Sequence, residues 1–182
     1  VFKKKSPVFL SDEEIMAIRN LVIDVRGLDI ARDIFLFSVF TGLRWIDVTR
    51  LTKDNISMDS NGVTWMRIEQ KKTDHVLDVP VLKPAVGIMK KWKMEMQQSN
   101  FIMPKLSHQR QNQYLKLISD LALIKGKVLT QHVAKHTFAT TICLNNDVDI
   151  KVTSQLLGHT SVIHTETYGH TTKKRMVEML KE

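Results

Sequence analysis

In Gln155-Leu156-Leu157-Gly158-His159-Thr160-Ser161-Val162-Ile163-His164-Thr165-Glu166-Thr167-Tyr168, a helical run stops at a Gly-His pair, and a tyrosine follows nine residues after the histidine. Gly158 is well placed to end a helix, because a left-handed residue there costs glycine little. A histidine just past a helix end commonly does no more than balance the helix dipole. A tyrosine in such a place is ordinarily a half-buried aromatic with its hydroxyl turned out. Read alone, the stretch is a helix terminus and nothing further.

Two stretches upstream change its weight. In His132-Val133-Ala134-Lys135-His136-Thr137-Phe138-Ala139-Thr140, His132 and Lys135 are three apart and project from one helix face. Two donors on one face can grip one phosphate. The plainer reading is a solvated stripe, with Phe138 and Ile142 turned to the core and His136 pointing elsewhere in a structural role. In Thr41-Gly42-Leu43-Arg44-Trp45-Ile46-Asp47, the Thr41-Gly42 break places Arg44 at the start of a short helix, where free N–H groups favour phosphate. The plainer reading is an Arg44–Asp47 surface pair one turn apart.

The remaining elements follow from spacing and punctuation. Ser11-Asp12-Glu13-Glu14 is a capping box, and Ile15, Ile18, Leu21, Val22 and Val25 continue at helical spacing to Gly27. A second helix, Ile30 to Phe40, is apolar nearly all round and predicts burial. Arg44 to Leu51 reads as a short helix. After the Asn61-Gly62 turn, Val63 to Glu69 and Val76 to Val81 alternate like strands, joined by the polar Gln70-Lys71-Lys72-Thr73-Asp74-His75. Helices are expected over Pro84 to Gln98, Ser107 to Leu121, Thr130 to Leu144, Asp149 to Leu157 and Thr171 to Lys181. The expected fold class is mostly α (α+β), a helical domain with one small antiparallel sheet or hairpin.

Composition narrows the classes. The 182 residues suffice for one domain with a core, or two small ones, and no apolar run is long enough to span a bilayer. The lone Cys143 excludes an internal disulfide, fits a reducing cytoplasm and reads as a buried small hydrophobe. No clustered Cys or His set suggests zinc. A net charge of +8 favours a polyanionic partner, most often nucleic acid, although the basic residues are dispersed apart from Lys3-Lys4-Lys5, Lys71-Lys72 and Lys173-Lys174-Arg175.

The Thr-Gly-Leu-Arg string, the His-x-x-x-His-Thr-Phe-Ala-Thr string and the Leu-Leu-Gly-His string with its tyrosine resemble, in order, the active-site boxes of the tyrosine recombinases, the phage integrase family. The resemblance covers nearly the whole chain and corresponds to the family's C-terminal catalytic domain. It implies an interdomain linker remnant over residues 1–10, a catalytic domain over residues 11–182, and an N-terminal core-binding domain that this sequence lacks. Lys135 departs from the pattern, standing where the family usually has Arg; natural and introduced replacements read alike in the sequence.

The resemblance implies roles residue by residue. Tyr168 attacks the scissile phosphate and leaves a 3′-phosphotyrosyl link. Arg44, His132, Lys135 and His159 hold the phosphate, and Asp47 supports Arg44. Lys72, with Lys71 as alternative, protonates the leaving 5′ oxygen. The chemistry suits the residue types. An Arg fork donates two bonds to phosphate oxygens, a crowded Lys can give up its proton, and a phosphotyrosyl ester conserves the bond for rejoining without ATP. No metal, nucleotide or other cofactor is implied. The implied partners are a double-stranded DNA recombination site, further copies in a homotetramer and accessory DNA-bending factors, with no membrane, in a prokaryotic cytoplasm. The hairpin favours a mobile-element integrase. Two rivals remain at this point: a DNA-binding module of the same fold that no longer cuts, motivated by Lys135, and a type IB topoisomerase.

Overall fold

A computed structural model describes residues 7–69, 76–159, 161–166 and 168. Its centre is helix α2 (Arg26–Thr41), in which Ile30, Ala31, Ile34, Phe35, Leu36, Phe37, Val39 and Phe40 are all buried. A helix apolar on every side has no solvent face to satisfy, so the others pack around it. Burying a side chain such as Phe35 or Phe37 contributes roughly 1.5–3 kcal/mol, and both are fully enclosed. The expected mostly α architecture with a small antiparallel sheet is what the chain adopts.

Helix α1 (Asp12–Arg19) starts at the anticipated capping box: Ser11 Oγ accepts from the Glu14 N–H, and the Ser11 N–H donates to the Glu14 carboxylate at 2.7 Å. It ends earlier than its apolar spacing predicts. Arg32 Nη1 donates to the Leu21 carbonyl at 2.8 Å, and Val22 and Val25 lie exposed in the connection to α2. Gly27 does not end α1 but sits in the first turn of α2, where a Cβ would meet the Tyr114 ring at 2.7–2.9 Å. Its signal was close packing rather than helix termination.

Gly42 closes α2 in the left-handed conformation (φ 72°). The short helix after it, α3 (Trp45–Val48), has only four residues, against the expected span to Leu51. Strands β1 (Ile56–Met58), β2 (Thr64–Glu69) and β3 (Val76–Pro80) form an antiparallel sheet in that order, with Met66 opposite both Ile56 and Val79. Met66, Ile68 and Val79 line its buried face, while Arg67, Glu69 and Asp78 are exposed. Strand β1 was not anticipated, because three residues are too few to show an alternation. Residues 70–75, including Lys71 and Lys72, lie outside the described residues, as do residues 169–182 and the helix expected there.

Helix α4 (Lys83–Trp92) carries Pro84 in its first turn, as expected, but stops at Trp92 rather than Gln98. Buried Asp33 explains the docking of its end: the Lys91 ammonium and the Trp92 indole N–H both reach the Asp33 carboxylate, at 2.6 and 2.9 Å. Helix α5 (His108–Leu121) is capped by Ser107. A chain of buried amides then fixes α5 and α6 (Gln131–Thr137) on α2. Gln111 donates to the Ala31 carbonyl and to Gln131 Oε1, and Gln131 donates to Ser38 Oγ at 2.6 Å.

The helix expected over Thr130–Leu144 is three conformations in series: α6, a π-helical turn over Phe138–Cys143 and a 3-10 turn over Leu144–Asn146. The threonines there are occupied. Thr137 Oγ accepts from the Leu10 N–H at 3.0 Å and donates to the Val133 carbonyl, and the Thr141 hydroxyl donates to the Leu10 carbonyl. Side-chain bonds of this kind compete with helix bonds, and π turns are often found where a helix serves a site. The fold is thus already anchored at Leu10, which is fully buried. Helix α7 (Ile150–Leu156), capped by Asp149, and the short α8 (Ile163–Glu166) complete the described chain. Among the described residues, no helix is long and apolar enough to cross a membrane.

Candidate active site

Arg44 is brought to the site by the break at Gly42. It is the N-cap residue of α3, with extended backbone (φ −74°, ψ 153°) and a half-buried side chain. Four residues make too short a helix for a substantial dipole, so the expectation that a helix start favours phosphate here carries little weight; the guanidinium must supply the attraction. Arg44, His132 and Lys135 line one cavity of about 270 Å³, together with Trp45, His108 and Gln131. The Gln111–Gln131–Ser38 amide chain fixes the first turn of α6, and so the direction of His132 beside it.

Lys135 is almost wholly enclosed (4% exposed), and its ammonium donates to the Leu157 carbonyl at 2.8 Å. Leu157 is the C-cap of α7, where helix carbonyls lack helical partners and a cation is favourable. Lys135 therefore ties α6 to the end of α7 while it faces the cavity.

The Gly-His pair has a definite local cause. Gly158 is left-handed (φ 62°), its N–H donates to the Gln155 carbonyl at 2.9 Å, and the His159 N–H donates to the Ser154 carbonyl at 3.0 Å. These two bonds make a Schellman motif, which fixes where the chain leaves α7 and so where His159 emerges. His159 Nδ1 lies 2.8 Å from the buried Thr165 hydroxyl. With that hydroxyl donating, the ring proton sits on Nε2, the tautomer able to donate to a phosphate oxygen. Burial, then the charges of Lys135, His164, Arg44 and His136, push the His159 imidazole down to about 4. These are the groups whose charges it feels, so Arg44, Lys135 and His159 share one electrostatic environment.

Tyr168 is 9% exposed and packs with Phe138, Ala139, Cys143, Leu144 and Leu157. Its ring lies nearly parallel to that of His159, with centroids 6.4 Å apart and planes at 16°. Its hydroxyl is 2.7 Å from His136 Nδ1. Burial raises the phenol above its ordinary value. Burial, with the charges of His132 and Lys135, lowers His136 to about 4. His136 was expected to point away in a structural role; instead it meets the tyrosine hydroxyl and stands edge-on to His132, with ring centroids 4.4 Å apart. Sequence reading missed Thr165 as well. The i, i+4 spacing of His132 and His136 was a usable signal for the first, whereas nothing local marks the second.

Asp47 is buried (3% exposed), not at a surface as the plain pairing with Arg44 would have it. Cys143 is buried and its thiol is pushed up to about 12, an inert side chain. Lys72 lies outside the described residues. A cavity of about 660 Å³ lined by Val76, Asp78, Gln155 and His159 places the start of β3, just beyond residues 70–75, beside the histidine. Among the described residues no group of three or more His, Cys, Asp or Glu side chains is arranged to hold a metal ion.

The sequence pattern of the phage integrase family matches residues 10–175. The tyrosine recombinase XerD of Haemophilus ducreyi is 26% identical over 189 residues, covering 97% of this chain and 62% of that protein. XerD of Chlamydia trachomatis is 25% identical over 191 residues, covering 96% and 61%. The chain thus spans about six-tenths of the length of these curated relatives. Among solved structures, the XerH site-specific recombinase bound to palindromic difH substrate, a post-cleavage complex, superposes with a TM-score of 0.77 at 22% identity, covering 97% of this chain and 53% of that one. The catalytic domain of bacteriophage HP1 integrase superposes with a TM-score of 0.67 at 21% identity, covering 96% and 94%. These likenesses establish the fold.

Proposed function

Because the chain belongs to the phage integrase family, we propose that it breaks and rejoins DNA strands at a recombination site, with Tyr168 as the nucleophile. The observation that carries this reading is the convergence of three separate segments. The turn after α2 brings Arg44, and α6 brings His132 and Lys135, to one cationic recess, while the chain after α7 brings His159, which feels the Arg44 and Lys135 charges, and Tyr168, whose ring stacks on His159. Such a recess suits a phosphodiester gaining negative charge in its transition state. Arg44, His132, Lys135 and His159 hold the non-bridging oxygens. Tyr168 Oη attacks phosphorus, giving a 3′-phosphotyrosyl link, and Lys72 protonates the departing 5′ oxygen. Assembly of four copies on two DNA sites, with accessory bending factors, belongs to the same proposal.

A second reading is favoured by one observation. Lys135 lacks the Arg fork, and its ammonium is already engaged with the Leu157 carbonyl. A point charge so committed grips an oxygen pair less well than a guanidinium. On this reading the chain binds recombination sites but cuts them poorly.

One experiment separates the two. The chain is incubated with nicked duplexes tiled across the DNA that surrounds its gene, and protein–DNA adducts are resolved on a denaturing gel. The expected result is an adduct that Tyr168→Phe abolishes while DNA binding persists. An adduct formed only by Lys135→Arg supports the second reading. Adduct formation that survives Tyr168→Phe removes Tyr168 from the role given it here.

A further inference from the structure

The cleavage step described above needs somewhere for the phenol proton to go. Arginine and protonated lysine have no lone pair to receive it, His159 Nδ1 is joined to Thr165, and His132 lines the cavity with Arg44 and Lys135. His136 is different: its Nδ1 stands 2.7 Å from Tyr168 Oη. We propose that His136 is a catalytic residue of this chain, its neutral Nε2–H tautomer taking the Tyr168 phenol proton on Nδ1 as Oη attacks phosphorus. This rests on Tyr168 being the nucleophile.

The step balances. The Oη–P bond forms, the P–O5′ bond breaks, the phenol proton passes to His136 Nδ1, and the leaving oxygen is protonated by the Lys72 ammonium. In rejoining, a 5′ hydroxyl attacks phosphorus and gives its proton to Lys72, the Oη–P bond breaks, and His136 returns its proton to the phenolate oxygen.

Three observations agree with it. The tyrosine is buried, and burial holds its phenol protonated, so it does not ionise unaided. The groups facing His136 are His132 one turn earlier on α6, the neighbouring Lys135, His159 from the end of α7, and Tyr168. With no carboxylate among these described groups, burial and the neighbouring positive charges hold the imidazole neutral at working pH, able to accept on Nδ1. Weak basicity is no obstacle, because a phenol proton becomes far more acidic as its oxygen bonds to phosphorus, and the incoming phosphate offsets the surrounding positive charge. The i, i+4 pair also divides the work by position: His132 lines the cavity with Arg44 and Lys135, and His136 meets the phenol.

The test has a DNA-free arm and a DNA arm. Long-range proton–nitrogen NMR of the unsubstituted chain is expected to show His136 as the Nε2–H tautomer; an Nδ1–H tautomer overturns the proposal, since that nitrogen would then be a donor. On a nicked duplex that gives an adduct with the wild-type chain, His136→Ala is expected to slow adduct formation by about 100-fold or more. Added imidazole should restore at least part of that rate, while duplex affinity stays unchanged. Replacing the 5′ bridging oxygen by sulfur, a leaving group that needs no acid, should rescue Lys72→Ala but not His136→Ala. If His136→Ala cleaves within threefold of wild type, or is rescued by sulfur and not by imidazole, His136 is not the base and the reading of Tyr168 stands. If neither the wild-type chain nor Lys135→Arg gives an adduct with any duplex, the nucleophile reading itself fails and this proposal falls with it.

Discussion

His136 and His159 set a pH signature that needs no DNA to observe. Each imidazole titrates near 4 in the folded chain, against an ordinary value of 6.5, with burial as the first cause in both. Above pH 6.5 both are neutral whether folded or not, and neither affects stability. Between 6.5 and 4 the unfolded chain binds protons that the folded chain refuses, so stability falls as pH is lowered. Below about 4 the folded chain binds them too, and this loss levels off. The urea midpoint is therefore expected to drop between pH 7 and pH 4.5, and the drop should shrink in a His136→Gln, His159→Gln double variant. An equal drop in the variant would assign the effect to other groups. The sequence did supply Arg44, His132, Lys135, His159 and Tyr168 as a set, and the fold gathers them. For His136 it supplied only the i, i+4 spacing to His132, because spacing tells which residues share a helix face but not what the returning chain lays against that face. The 2.7 Å contact depends on how the chain turns after α7.

At the scale of elements, two glycines in helical surroundings should respond oppositely to alanine. Gly42 is left-handed, and a Cβ there would stand 2.6 Å from the Phe138 ring. Alanine must accept a disfavoured backbone and also displace a buried aromatic, so Gly42→Ala is expected to destabilise by about 2–3 kcal/mol. Phe138 lies two residues after His136, and Arg44 two residues after Gly42, so the displacement should reach the site from both sides. Gly87, inside α4, has open space where a Cβ would go and an ordinary φ. Gly87→Ala is expected to stabilise by about 0.5–1 kcal/mol. Urea denaturation of the two variants checks both signs, and a neutral Gly42→Ala would show that the turn is not held as described. The elements that were legible carry strong local signals: the capping box of α1, the apolar run of α2, and the alternating β2 and β3. The missed ones answer to contacts remote in sequence. Leu10 takes up the threonine hydroxyls of the π turn, Arg32 draws off the Leu21 carbonyl, and Tyr114 occupies the space above Gly27.

For the molecule as a whole, the net charge of +8 is spread along the chain, not gathered in one run. Dispersed charge matters for DNA only insofar as the fold turns it toward phosphates, and the described fold gathers Arg44 and Lys135 in one recess, whose role in this the salt dependence of binding tests. Binding of a 30-base-pair duplex should therefore weaken steeply with salt, the slope of log K against log[salt] being about −0.9 for each phosphate neutralised. Two variants give this content. Tyr168→Phe removes a hydroxyl and no charge, so its slope should equal that of the wild type. Arg44→Ala removes one cation from the recess and should lower the slope by about 1. Fluorescence anisotropy from 50 to 200 mM KCl measures all three proteins under the same conditions. An unchanged slope for Arg44→Ala would mean that Arg44 meets no phosphate, and the recess would then be a feature of the fold and not the place where DNA is held. A slope reduced by Arg44→Ala together with an adduct abolished by Tyr168→Phe would put phosphate binding and phosphate attack in one recess, reached from opposite ends of the chain.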